Sequence, residues 1–137
     1  MNGIIEFERV LGYRSIPPGQ ALLPAIPIRL IGPAGRDDVL AVLDTGAEYS
    51  IFDGRRATVL GIALTNGKRR RLNTVCGAMD AWLHKITLEI EGSRFRCEVL
   101  FSDGYIPREL LGRHTVFDQI TIAIREKYHS IYFSPRP

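Results

Sequence analysis

An apolar run, Val39-Leu40-Ala41-Val42-Leu43, ends on Asp44-Thr45-Gly46, and the chain continues as Ala47-Glu48-Tyr49-Ser50-Ile51-Phe52. The run reads as a buried strand that delivers one carboxylate into a tight turn. Burial raises the cost of ionising a carboxyl group. The Thr45 hydroxyl can hydrogen-bond locally, and Gly46 lets another backbone or a ligand approach closely. The segment therefore commits the chain to sheet and sets one acidic group where chemistry is possible.

Strand and turn signals recur along the rest of the chain. Ile4 to Val10 alternates loosely and is expected as an outer strand, followed by a turn at Pro17-Pro18-Gly19. From Ala25 the pattern predicts a strand to about Ile31, a turn at Gly32-Pro33-Ala34-Gly35 and a second strand from Val39 to Leu43, so a hairpin sets the Asp44 loop. Tyr49 to Phe52 is expected as a short strand, and Asp53 as the cap of a helix from Gly54 to Leu60 that stops at Gly61. Arg70 to Val75 and Ala81 to Ile90 read as strands joined through Cys76-Gly77-Ala78-Met79-Asp80, and Glu91-Gly92 as a further turn. Phe95, Cys97, Val99 and Phe101 alternate with Arg94, Arg96, Glu98 and Leu100, and only Leu100 breaks the polar face. Ile120 to Ile124 and Ser130 to Phe133 are expected to form a terminal hairpin around Glu126-Lys127-Tyr128-His129. The fold class is all-β, a closed barrel or sandwich with two short helices. Residues 1–24 form a leader that supplies an outer strand of the same domain, and residues 25–137 form the domain proper.

Downstream of the Asp44 loop stands a second apolar element, Glu109-Leu110-Leu111-Gly112-Arg113, followed by His114-Thr115-Val116-Phe117. Together with the Asp-Thr-Gly context it resembles the retropepsin family, the retroviral-type aspartic proteases and their cellular and bacterial relatives. The resemblance spans about Ile26 to Phe133 and extends to element order: strand, Asp-Thr-Gly loop, short helix, flap hairpin, long strand pair, Leu-Leu-Gly, helix, final strand. It implies a single-lobe retropepsin-like fold in which the Leu-Leu-Gly segment crosses behind the catalytic loop. It also implies an aspartic endopeptidase, with Asp44, Thr45 and Gly46 as the catalytic loop and Thr45 bonding across a two-fold axis. Ala47, Glu48, Val75, Cys76, Gly77, Ala78 and Leu111 would contact substrate, and Thr74 to Asp80 would form the flap. Gly112 and Arg113 would give structural support, with Arg113 paired to Glu48, which stands where the family usually carries Asp. Ala47 lacks the hydroxyl that the pepsin-like branch often has there, which implies a working pH above that of pepsin-like enzymes.

Length decides how such chemistry would run. Aspartic proteolysis needs two carboxylates sharing one proton, and a chain of 137 residues holds one domain with one Asp-Thr-Gly. The second carboxylate must come from another copy, so the expected partners are a homodimer mate and an extended peptide or protein substrate. An alternative keeps the fold without the chemistry, as a dimeric peptide-binding or scaffolding module, because the candidate flap has only Gly77 to give it mobility.

Other classes find little support. The net charge is only +3, and the one basic run, Lys68-Arg69-Arg70-Arg71, has no interleaved aromatic residues. That run reads as a solvated loop or strand edge before the flap, in preference to a nucleic-acid or acidic-substrate contact. Two cysteines and three scattered histidines lack metal-ligand spacing, so neither metal nor cofactor is expected, and the chain reads as reduced. Residues 1–7 lack the charged start and apolar core of a secretory signal. The expectation is a cytoplasmic protein, or a fragment of a longer membrane-bound parent.

Overall fold

The structure is a computed structural model, which describes residues 3–17, 19, 21–74 and 77–135. In chain order its elements are β1 (Arg9–Gly12), β2 (Arg14–Ile16), β3 (Ala21–Leu23), β4 (Ala25–Ile31), β5 (Arg36–Leu43), β6 (Ile51–Asp53), α1 (Arg55–Val59), β7 (Lys68–Thr74), β8 (Gly77–Ile90), β9 (Ser93–Ser102), β10 (Leu110–Leu111), β11 (Thr121–Arg125) and β12 (Ser130–Ser134). Single turns of 3-10 helix stand at Leu64–Asn66, Phe117–Gln119 and Glu126–Tyr128. The expected all-β architecture is present.

Hydrogen bonds run β4-β5-β10-β6-β9-β8, and β8 returns to β4 through Arg29↔Glu89, Leu30↔Leu88 and Ile31↔Thr87, so these six strands close a ring. Closure leaves the ring strands without free edges over those residues. β7 lies on the far end of β8, beyond the ring. Two contacts in the ring are parallel, β5 with β10 and β6 with β9, and both flank the Asp44 loop.

The sequence dictates the hairpins through their turns. Glu91 and Gly92 both have positive φ, 49° and 83°, the arrangement of a type I′ turn, and they pair Ile90 with Ser93. Between β4 and β5 the Gly32 N–H donates to the Gly35 carbonyl at 2.9 Å. The ring interior is apolar. Leu30, Phe52, Ile86, Leu88 and Phe101 are fully buried there, and Phe52 stacks at a tilt on Phe101 with centroids 6.3 Å apart. Leu60 closes one end, and Gly61, at φ +75°, stops the helix where a side chain would be strained.

Several boundaries depart from expectation. Strand β8 begins at Gly77, not Ala81, because Thr74↔Gly77, Asn73↔Ala78 and Leu72↔Met79 continue the ladder. Only residues 75 and 76 remain between the strands, and they lie outside the described residues. The helix expected after Gly112 is replaced by a turn and the Phe117–Gln119 single turn. There the Thr115 N–H bonds to Asp118 Oδ2 at 3.0 Å, and Thr115 itself has φ 58°. A left-handed residue interrupts helical propagation. Near the N-terminus the strand falls at Arg9–Gly12, where it pairs with β12, and Arg14–Ile16 and Ala21–Leu23 add a small hairpin of their own.

Candidate active site

Asp44 stands at the end of β5, and its surroundings are almost entirely backbone. Its N–H donates to the Leu111 carbonyl at 2.9 Å, and two residues earlier the Val42 N–H donates to the Glu109 carbonyl at 2.9 Å. The Glu109–Leu111 segment therefore crosses behind the loop as a parallel neighbour of β5. Within the loop the Ala47 N–H bonds to the Asp44 carbonyl at 3.1 Å, and the Gly46 N–H donates to Asp44 Oδ1 at 2.9 Å. This last bond orients the carboxylate. Asp44 is half-buried while Thr45 and Gly46 are exposed, so the acidic group opens to the outside of the ring.

The far side of the loop is held just as closely. Arg113 N–H donates to the Ala47 carbonyl at 3.0 Å, and His114 N–H to the Glu48 carbonyl at 2.6 Å. The His114 ring tilts against Tyr49 with centroids 5.0 Å apart. Gly112 is packed so tightly that a β-carbon there would lie 2.7 Å from the Tyr49 carbonyl carbon and oxygen. Its N–H donates to Ser50 Oγ at 2.9 Å, and Ser50 is fully buried. Only glycine can occupy this crossing.

Beside the loop runs a groove of about 420 Å³, lined by Ala47, Glu48, Tyr49, Ile51, Leu72, Leu100 and Leu110, with Arg70 and Arg71 on the hairpin side. Four other clefts are larger: about 480 Å³ around Arg56 and Glu109, about 660 Å³ around Lys85, Arg96 and Glu98, about 450 Å³ around Arg29 and Glu89, and about 440 Å³ around Arg55 and Ser102. None of the four is lined by any residue of the 44–48 loop, so the smaller groove is the one placed to present a ligand to Asp44. Among the described residues no three His, Cys, Asp or Glu side chains converge as metal ligands.

The structure brings Asp44, Thr45 and Gly46 together with Ala47 and Glu48 of the groove. Gly77 and Ala78 are exposed on the returning strand of the hairpin and do not line the groove. Val75 and Cys76 lie outside the described residues. Leu111 requires a correction: its side chain is wholly buried in the core, and Leu110, one position earlier, faces the groove. Adjacent strand residues point to opposite faces, so the backbone that serves Asp44 turns the Leu111 side chain inward. The Arg113–Glu48 ion pair is likewise absent among the described residues. The Arg113 guanidinium instead reaches the Ala47 carbonyl at 3.4 Å. Tyr49, Ile51, Arg70, Leu72, Leu100 and Leu110 were not singled out from sequence, although the apolar Leu100 on an otherwise polar strand face was the signal for one of them.

The sequence profile of a family described as aspartyl protease matches residues 27–115, which takes in the Asp44 loop, the hairpin and the Leu110-Leu111-Gly112 crossing. The chain belongs to that family. Among solved structures, a retropepsin-like aspartic protease from Rickettsia conorii superposes with a TM-score of 0.63 at 17% identity, covering 90% of this chain and 98% of that one. EIAV protease complexed with the inhibitor HBY-793 superposes with a TM-score of 0.51 at 21% identity, covering 66% of this chain and 82% of that one. At these identities the likeness is one of fold, and the fold is retropepsin-like. No curated protein sequence matches the chain.

Proposed function

We propose that this protein is an aspartic endopeptidase that works as a homodimer, with Asp44 of each copy facing the other across a two-fold axis. The observation that carries the reading is the posture of Asp44. A strand end backed by the Leu111 carbonyl presents a half-buried carboxylate outward, with one oxygen already fixed by the Gly46 N–H at 2.9 Å. The exposed Thr45 and Gly46 beside it leave room for a second loop of the same shape.

In such a dimer the paired carboxylates hold one proton between them, because two like charges at contact distance cannot both be ionised. The ionised member takes a proton from a bound water as its oxygen attacks the scissile carbonyl carbon. The protonated member gives its proton to the carbonyl oxygen, forming a tetrahedral diol. Collapse of the diol breaks the C–N bond, with a proton passing to the leaving amine. The chain's own contribution is to orient both carboxylates and to hold the peptide. The β7–β8 hairpin serves as the flap over an extended substrate, which lies in the groove with its main chain bonded as an added strand.

The test is digestion of a denatured-protein library by the wild type and by Asp44→Asn over a dilution series. Cleavage by the wild type alone, falling more steeply than enzyme concentration on dilution, supports the proposal. Equal and negligible cutting by both proteins refutes it and leaves a peptide-binding module on the same fold.

A further inference from the structure

The basic run Lys68-Arg69-Arg70-Arg71, which sequence alone assigns to a solvated edge, is strand β7. Strand alternation divides its charges between two faces. Arg69 and Arg71 both reach Asp80 Oδ1, at 3.2 and 3.3 Å, on the face away from the core. Arg70 points the other way, on the same face as Leu72, opposite the buried Ala81. It is half-buried, it lines the groove, and among the described residues it makes no ion pair or side-chain hydrogen bond. Among the described residues Glu48 is the one carboxylate on the groove wall, and no ion pair joins it to Arg70. The remaining lining is Arg71, whose guanidinium is held by Asp80, together with Ala47 and the apolar or aromatic Tyr49, Ile51, Leu72, Leu100 and Leu110.

We propose that Arg70 makes this groove select an acidic side chain in the bound peptide, set next to a bulky apolar side chain that packs on Leu72 and Leu110. The inference rests on the groove being the substrate site of the protease reading above. A guanidinium left unpaired against an apolar wall is a strong receptor for a carboxylate, since the wall removes competing water and the planar fork matches the two oxygens. Neighbouring Arg69 and Arg71 raise the local positive potential but are already engaged by Asp80, so Arg70 is the group free to make the contact.

The test uses a synthetic peptide library randomised on both sides of a fixed leucine, with cleavage sites read by mass spectrometry. Wild type should enrich Asp and Glu over Asn and Gln by roughly fivefold or more at one fixed distance from the leucine, as expected for one charge-assisted contact. Arg70→Gln should remove that enrichment, Arg70→Glu should turn it toward Lys and Arg, and Arg69→Gln should leave it as in wild type. Cleavage without an acidic preference, or a preference that survives Arg70→Glu, overturns the inference while leaving the protease reading intact. Should wild type cut nothing, the same library is selected by affinity on immobilised wild type and Arg70→Glu. Acidic enrichment lost in the variant then upholds the Arg70 assignment, and its absence overturns it.

Discussion

Replacing Arg56 by alanine should destabilise the protein by about 2–3 kcal/mol, through a network that ties α1 to the strand behind Asp44. The Arg56 guanidinium spans both Glu109 oxygens, Nε to Oε2 at 2.5 Å and Nη2 to Oε1 at 2.6 Å, and its Nη1 reaches Asp37 Oδ2 at 2.8 Å. Glu109, and after it Asp37, hold the guanidinium well above its usual range. The side chains are 27%, 14% and 25% exposed for Arg56, Glu109 and Asp37, so solvent screens the pairs only in part. A fully buried pair broken from one side costs about 3–5 kcal/mol and an exposed one below about 1 kcal/mol, which places this site between them. For a domain of this size the loss corresponds to a fall in Tm of roughly 6–12 °C. Because the Glu109 carbonyl also accepts the Val42 N–H, the Val42 and Asp44 amides should exchange with solvent faster in Arg56→Ala. Thermal melts, a double-mutant cycle with Glu109→Gln and amide exchange read the three effects. A Tm drop below about 2 °C, or strict additivity in the cycle, would refute the reasoning.

Three further outcomes follow from the geometry. Gly112→Ala drives a β-carbon to within 2.7 Å of the Tyr49 backbone and 2.9 Å of the Ala47 carbonyl, so it should cost about 1–3 kcal/mol by thermal melting and abolish peptide cleavage by displacing the 47–49 loop. Asp53 is held below its usual carboxylate range first by the Arg55 side chain, so its share of stability is present above about pH 4 and lost as pH falls below that. Asp53→Asn should flatten the acid limb of a stability-versus-pH curve by less than about 1 kcal/mol, given how far Arg55 projects into solvent. Burial pushes the Cys97 thiol up to about 12, so in a Cys76→Ser background a thiol reagent at pH 8 should label the protein only after denaturant unfolds it; labelling of the native protein contradicts this.

Much of the fold was legible because its decisive signals are local. Val39 to Leu43 reads as a strand from its own residues and Glu91-Gly92 as a turn from its own backbone needs, while the crossing of Leu110-Leu111-Gly112 was implied by the family resemblance that this short motif carries. What escaped was set by register. Starting β8 at Gly77 pairs Arg70 with Ala81 and Arg71 with Asp80, and this pairing decides which groove arginine has a carboxylate beside it. Leu111 was misassigned for the same reason, since one residue exchanges the two faces of a strand. Arg56 gave no sequence signal, because its partners Asp37 and Glu109 are remote in the chain and meet only once the ring has closed.

Ring closure also governs when this fold can form. The Asp44 N–H finds its acceptor on Leu111, and β4 finds its closing partner in the second half of β8, so neither contact exists while the early part of the chain is being synthesised. Pairings between such distant segments are slow, because the intervening chain must be ordered before they reward it. A nascent polypeptide of this design leaves the ribosome with its acidic loop unsupported, and acquires a fixed loop only when nearly all of the domain is available to fold around it.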